Sequence, residues 1–442
     1  MKKQILKNFV TIITLSHLSF ASVASVWTKD DLILRAKSES YQSQKSFEKL
    51  YEARKNISKK VGMLLPSFSL GSILNSVGGT TKTYFMPLQL VAPMIGFAFP
   101  ANWFSLKESK LIFEAEKRFY LSSVANNMNS VEILFLEAHK TSLTIKEYEK
   151  VLLDLDEIVT MIHAQDETNP IPYSSYVKLE ILQQRMNSDL SLLKMLLTTQ
   201  KQEIGNSLAL TEKEKEEFEF KLLDNLESDF VGLSFPDFRQ KSLDRCVELK
   251  GSQFLILASD FSIKKRQWDF ISLTSDPESS LGFGYKAQID IAKSAKRVLT
   301  IEMNEFNQRY LSEILETHKN NELLVTIIQR SKQIVSRSER YYDYLKNKLL
   351  TTNSNEFKEF SDSAIELLQS KSEHLSLLHQ KLSIEANYRR FLYEGENYRL
   401  LLPKLFLKSP EDILSKDEKR ENRKINKAIK KGTLTLPETE YF

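Results

Sequence analysis

Apolar positions in this chain repeat at helical spacing over long distances. Between Ser105 and Asp166 about sixty residues pass without a Gly or Pro. Within them Val131, Leu134, Ala138, Thr141, Ile145, Tyr148, Leu152, Leu155, Val159 and Ile162 recur at alternating steps of three and four. A seam of that kind predicts helices wound around one another. At ~1.5 Å per residue the run reaches roughly 90 Å, too long for the interior of a compact domain. Pro170 and Pro172 end it, and Ser174 or Ser175 can cap a returning helix that Leu179, Leu182, Met186, Leu190, Leu193 and Leu197 carry to Gly205.

The stretch before this helical hairpin is of another kind. An amphipathic helix through Leu32, Phe47, Leu50 and Ala53 stops at Gly62, and from Leu65 to Leu74 small or polar residues alternate with apolar ones. Gly78-Gly79-Thr80 make a turn, and Met86 to Phe99 form a second apolar stretch weakened by Pro87 and Pro93. Together they predict a β-hairpin.

After a mixed segment over 206–242 the same plan restarts. A helix from about Leu243 leads to alternation at Trp268–Thr274, a turn at Ser275–Ser279, and clean alternation from Leu281 to Ile291. Phe283, Tyr285, Ala287, Ile289 and Ile291 share one face of that last stretch. Roughly ten residues suit a tilted membrane-spanning strand. A second long helix comes next, with Leu324, Ile328, Ser331, Val335, Ser338, Tyr342, Leu345 and Leu349 in heptad steps. Asn353-Ser354-Asn355 break it, and Ile365, Leu368, Ser372, Leu375, His379, Leu382 and Ala386 carry the return to Gly395.

The expected organisation is therefore a first repeat over 25–205 (β-hairpin about 65–99, helical hairpin about 104–204) and a linker over 206–242. A second repeat spans 243–402 (β-hairpin about 268–291, helical hairpin about 293–395), before a Lys-rich tail over 403–442 whose composition predicts disorder. Residues 1–24 read as a secretory signal, with Lys2, Lys3 and Lys7 before a short apolar stretch and Ala21 or Ala24 at the cut. The rest contains no run of 18 apolar residues, so a membrane-inserted form is expected to be a barrel. Two-stranded hairpins are not stable alone and their edges need pairing, so several identical chains are expected to share the barrel.

Composition removes other classes. A net charge of +4 gives no electrostatic case for nucleic acid, and the single cysteine, Cys246, rules out an intramolecular disulfide and any multi-Cys metal site. The six His are scattered, and His374 and His379 form no ligand pattern. No Gly-rich phosphate loop or nucleophile–base set is present, so neither an enzyme nor a cofactor is expected.

This layout resembles the TolC family of outer-membrane efflux proteins over about Trp27 to Leu402. Local matches are Ala53-Arg54 followed by Leu64-Leu65-Pro66-Ser67 into the first strand, and Phe99-Pro100 with Trp103 leaving the second. The resemblance implies an α + β membrane protein: a homotrimer whose twelve-stranded barrel stands on an α-helical coiled-coil tunnel in the periplasm. It implies a passive exit duct of a tripartite efflux or type I secretion system, engaged at its tips by a periplasmic adaptor and an inner-membrane pump. The alternative is an exported coiled-coil scaffold or adaptor without a channel.

Family pattern also implies site residues. Glu359 and Asp362 stand where acids ring the periplasmic entrance; three apart on a helix, they share a face. Threefold symmetry would bring six carboxylates to a narrow mouth that favours cations and is blocked by multivalent ones. The tips, with Asn169, Pro170, Tyr173 and Ser175 in the first half and Asn353 and Asn355 in the second, would meet the adaptor. The chain departs from the family where both tips lack a glycine, where Ser175 replaces an acid, and where Leu350 and Asn355 replace the tyrosine and arginine of the entrance lock.

Overall fold

The computed structural model describes residues 26–64, 99–165, 173–221, 223, 226, 228, 230–269, 284–352 and 356–393. In chain order the elements are β1 (Val26–Trp27), α1 (Lys29–Ser38), α2 (Tyr41–Leu64), α3 (Pro100–Gln165), α4 (Tyr173–Ser207), α5 (Glu212–Glu216), β2 (Glu219–Phe220), α6 (Phe235–Arg245), α7 (Val247–Trp268), α8 (Gly284–Thr352) and α9 (Phe357–Leu392). The expected signal at 1–24, most of the first β-hairpin (65–98) and the tail (403–442) lie outside the described residues. No described helix is long and apolar enough to cross a membrane.

One expectation is corrected. The alternating stretch that predicted a strand up to Ile291 is helical from Gly284, as the start of the 69-residue α8. From Tyr285, partly or fully covered positions fall at Tyr285, Gln288, Ile289, Ala292 and Lys296, a period of three to four, and Ile291 is exposed. The reason is local. Lys286-Ala287-Gln288 are strong helix formers, adding a turn to an existing helix needs no new nucleus, and a lone strand edge offers its backbone no partner. Tyr285 Oη donates to the Gln267 carbonyl at 2.6 Å, fixing this end of α8 against the end of α7. Trp268 is likewise the last residue of α7, and the rest of the expected second hairpin, 270–283, lies outside the described residues.

The chain divides into two compact units, and α3, α8 and α9 each supply residues to both. The first unit comprises Met1–Arg35, Val131–Glu227 and Ile334–His379. Its main core gathers Leu155, Ile158 and Ile162 of α3, Leu179 and Met186 of α4, Tyr342 and Leu345 of α8, and Phe357, Phe360 and Leu367 of α9. Fully burying such a side chain stabilises by about 1.5–3 kcal/mol, so the apolar seams are what hold these four helices together. Asp154 of α3 accepts from Tyr342 Oη at 3.0 Å and Lys346 Nζ at 2.7 Å. Lys371 of α9 pairs with Glu147 at 2.5 Å and Glu339 at 2.8 Å. The return helix buries Ala364, Leu367 and Leu368, whereas Ile365, expected on the seam, is exposed.

The 206–242 segment is more ordered than a linker. Thr211 and Glu214 form a reciprocal capping box that starts α5, and β2 pairs in parallel with β1 in the register Val26 to Glu219 and Trp27 to Phe220. Phe220 packs edge-on to Phe135 at 5.4 Å, and Arg35 lies 5.0 Å over the Trp27 ring while pairing with Glu214 at 3.0 Å.

The second unit comprises Ala36–Ser130, Ser228–Gln333 and Gln380–Phe442. Leu50, Ala53 and Ile57 of α2 pack on Leu106 and Phe113 of α3. The turn between α1 and α2 is built by Ser40, whose hydroxyl accepts from the Ser43 backbone N–H at 3.1 Å and from Asn127 Nδ2 at 2.8 Å. A second core joins Phe238 and Cys246 to Tyr310, Ile314, Tyr388 and Phe391. Within it Tyr388 stacks on Phe238 at 3.9 Å, and its hydroxyl meets His318 Nδ1 at 2.8 Å. Gly232 packs against this pair so closely that a Cβ there would lie 3.0 Å from Tyr388 Oη.

The same unit buries an ion pair between Arg390 and Glu248. Ser122 Oγ donates to Glu248 at 2.6 Å, and Arg390 Nε donates to Asn126 Oδ1 at 2.5 Å. Burial alone would raise the Glu248 carboxyl, but the Arg390 charge and the Ser122 hydrogen bond outweigh it and hold the group below its ordinary value.

Candidate functional site

The expected entrance residues lie at the start of α9, in the first unit. Phe357 and Phe360 are buried in the hairpin core, and Phe360 stacks on Tyr342 of α8 with ring centroids 5.2 Å apart. These anchors fix the rotation of the helix. Since 3.6 residues make a turn, seating 357, 360, 364 and 367 inward leaves 359 and 362 outward. Glu359 and Asp362 are accordingly exposed. Glu366 is exposed one turn further on and extends the acidic face; the spacing Glu359, Asp362, Glu366 would have shown it in the sequence. Ahead of the helix, Lys348 Nζ bonds Glu356 at 2.5 Å and ties the end of α8 to the start of α9. That hydrogen bond holds the Lys348 ammonium above its ordinary pKa.

Of the expected tip contacts, Tyr173 and Ser175 fall in the first turn of α4. Asn169, Pro170, Asn353 and Asn355 lie outside the described residues. Chemically, the described part of this end presents the outward carboxylates of Glu359, Asp362 and Glu366 at the start of α9, with exposed Lys358 beside them and nearby lysines of α8 engaged with other acids. Lys346, for example, pairs with Asp154 at 2.7 Å and Glu157 at 3.1 Å. Such a surface attracts cations by charge. Among the described residues no group of three or more His, Cys, Asp or Glu is arranged to hold a metal ion.

No family model matches the chain, and no curated protein matches it in sequence. Solved structures do match in fold. The Campylobacter jejuni CmeC outer membrane channel aligns over 82% of this chain and 85% of its own, with a TM-score of 0.63 and 9% identity. The fold is that of TolC-family outer-membrane channels. The Vibrio cholerae outer membrane protein VceC aligns over 83% of this chain and 96% of its own, at TM-score 0.65 and 10% identity. The open state of the Neisseria gonorrhoeae MtrE outer membrane channel aligns over 82% and 88%, at TM-score 0.59 and 12% identity. The likeness is thus one of fold, in a sequence sharing about one residue in ten with these channels.

Proposed function

We propose that the protein is the outer-membrane duct of an export system, a homotrimer lodged in the outer membrane with most of each chain in the periplasm. The observation that carries this reading is the likeness to outer membrane channels over more than four fifths of the chain. Three copies would share a barrel of twelve strands, drawn from 65–98 and 270–283 of each chain. The first segment has 34 residues, enough for two strands of about 9–11 residues and a turn. Apolar side chains exposed on one copy support the trimer: Leu192 and Met195 of α4 are 62% and 67% exposed, and Tyr344 of α8 is 58% exposed.

In this reading the helices form a periplasmic tunnel, Glu359 and Asp362 ring its entrance, and the tips at Asn169, Pro170, Tyr173, Ser175, Asn353 and Asn355 meet a periplasmic adaptor and through it an inner-membrane pump. The duct is passive and carries no chemistry of its own. Cell fractionation with mass determination in detergent tests the proposal. Outer-membrane protein with the mass of three chains supports it; a monomer in the soluble periplasmic fraction favours the coiled-coil scaffold instead.

A further inference from the structure

In the second unit, α2, α3 and α7 border an open pocket of about 330 Å³, at which Asn56 and Lys59 are exposed. Lys59, Lys60 and Lys265 line it together with Asn56, Ser105 and one acid, Glu108. No salt bridge within 4 Å joins any of the three lysines to an acid among the described residues. Burial, and after it the charge of Lys265, draw the Lys60 ammonium below its ordinary pKa, with Glu108 opposing. Three ammonium groups against one carboxylate in a half-enclosed space are repulsive until an anion enters. With the Asn56 amide and the Ser105 hydroxyl they supply more donors than a carboxylate can use and suit a phosphate's oxygens.

Position narrows the source of that phosphate. Lys59 and Lys60 stand within five residues of the end of α2, Ser105 five after the start of α3, and Lys265 three before the end of α7. Those ends flank both segments, 65–98 and 270–283, that the proposed duct places in the membrane. We infer that this pocket is a binding site for a phosphate group and that a phospholipid headgroup at the periplasmic surface of the outer membrane supplies it. The lysines then anchor the helices to the lipid surface where the barrel begins. The choice of lipid over soluble phosphate rests on the proposed membrane position; the phosphate chemistry does not.

The test uses the full-length protein in a neutral detergent, with binding followed by native mass spectrometry and thermal shift. The probes are dioctanoyl phosphatidylglycerol, dioctanoylglycerol and inorganic phosphate. Phosphatidylglycerol should bind, the phosphate-free glyceride should not, and K59Q/K60Q/K265Q should weaken binding by about tenfold or more, given the attraction of each lysine for an anionic headgroup. Removing the opposing acid with Glu108→Gln should strengthen binding, a gain that a misfolded variant cannot mimic. Lysine-dependent binding of inorganic phosphate as tight as that of the lipid supports the site and overturns the lipid as its source. Binding that ignores the lysines, equal binding of dioctanoylglycerol, or no gain in Glu108→Gln overturns the site. Because the assay needs no membrane insertion, a failure of the duct reading, seen as a soluble monomer, registers separately.

Discussion

Arg390→Met is the sharpest test of how the second unit is held together. The substitution keeps an unbranched apolar stem, shorter than that of Arg, and removes the charge, leaving the Glu248 carboxylate buried with the Ser122 hydroxyl as its close donor. Unit charges about 4 Å apart attract by about 4 kcal/mol at an effective dielectric constant near 20. Breaking a buried pair from one side costs about 3–5 kcal/mol, because the remaining charge keeps its desolvation penalty and loses its partner. Replacing both, as Glu248→Met with Arg390→Met, removes that penalty, so the double variant should be more stable than Arg390→Met alone. Loss of helical ellipticity across a urea series in detergent reads the order directly. The pH sign comes from the lowered Glu248 carboxyl: its stabilisation is present above the ordinary carboxylate range and is lost as pH falls through the folded-state value. The gap between wild type and Arg390→Met should therefore shrink at about pH 3. Additive single effects, or an Arg390→Met variant as stable as wild type at neutral pH, would refute the reasoning.

Three further outcomes rest on particular contacts. Gly251→Ala should lower stability, since its Cβ would sit 2.8 Å from Phe119 Cε1. Overpacking of about 1–3 kcal/mol then outweighs a helix-propensity gain of about 1 kcal/mol, and a higher urea midpoint would contradict the packing. His139 is fully buried with neither ring nitrogen hydrogen-bonded, and burial, with the charge of Lys146 after it, lowers its pKa from 6.5 to about 4. The unfolded chain takes up the proton first, so stability should fall between pH 6.5 and about 4 and His139→Leu should flatten that decline, as midpoints across this range would show. If Glu359 and Asp362 ring the entrance, Glu359→Gln with Asp362→Asn should relieve block by multivalent cations, and unchanged block removes them from that role.

The sequence carried the helical seams well because heptad spacing is a local, repeated signal: nearly every position named on α3 and α8 is buried or half-buried. Where spacing was ambiguous it misled. Ile365 and its neighbour Ala364 differ by about 100° around a helix, and only the packing of Phe357 and Phe360 decides which turns inward. The Phe283–Ile291 stretch satisfies a period of two and, through Tyr285, Gln288 and Ala292, a period near 3.6; the helix already running from Ala292 onward settled it. The β1–β2 pair was not legible, since two residues at either end of a separation near 190 give no pattern. Thr211-x-x-Glu214 was a readable cap within a segment taken as a linker. The carboxylate face at Glu359 could be read from spacing, but its outward direction came from the two buried phenylalanines. Nor does local pattern contain the lysine pocket, because α2, α3 and α7 bring it together from distant parts of the chain.

Conductance of the detergent-purified protein in planar lipid bilayers tests the central claim most directly. A duct predicts discrete, long-lived current steps in simple salt solution at a protein dose that scales with the trimer. Protein that leaves the bilayer silent while remaining monomeric in plain buffer would contradict the account.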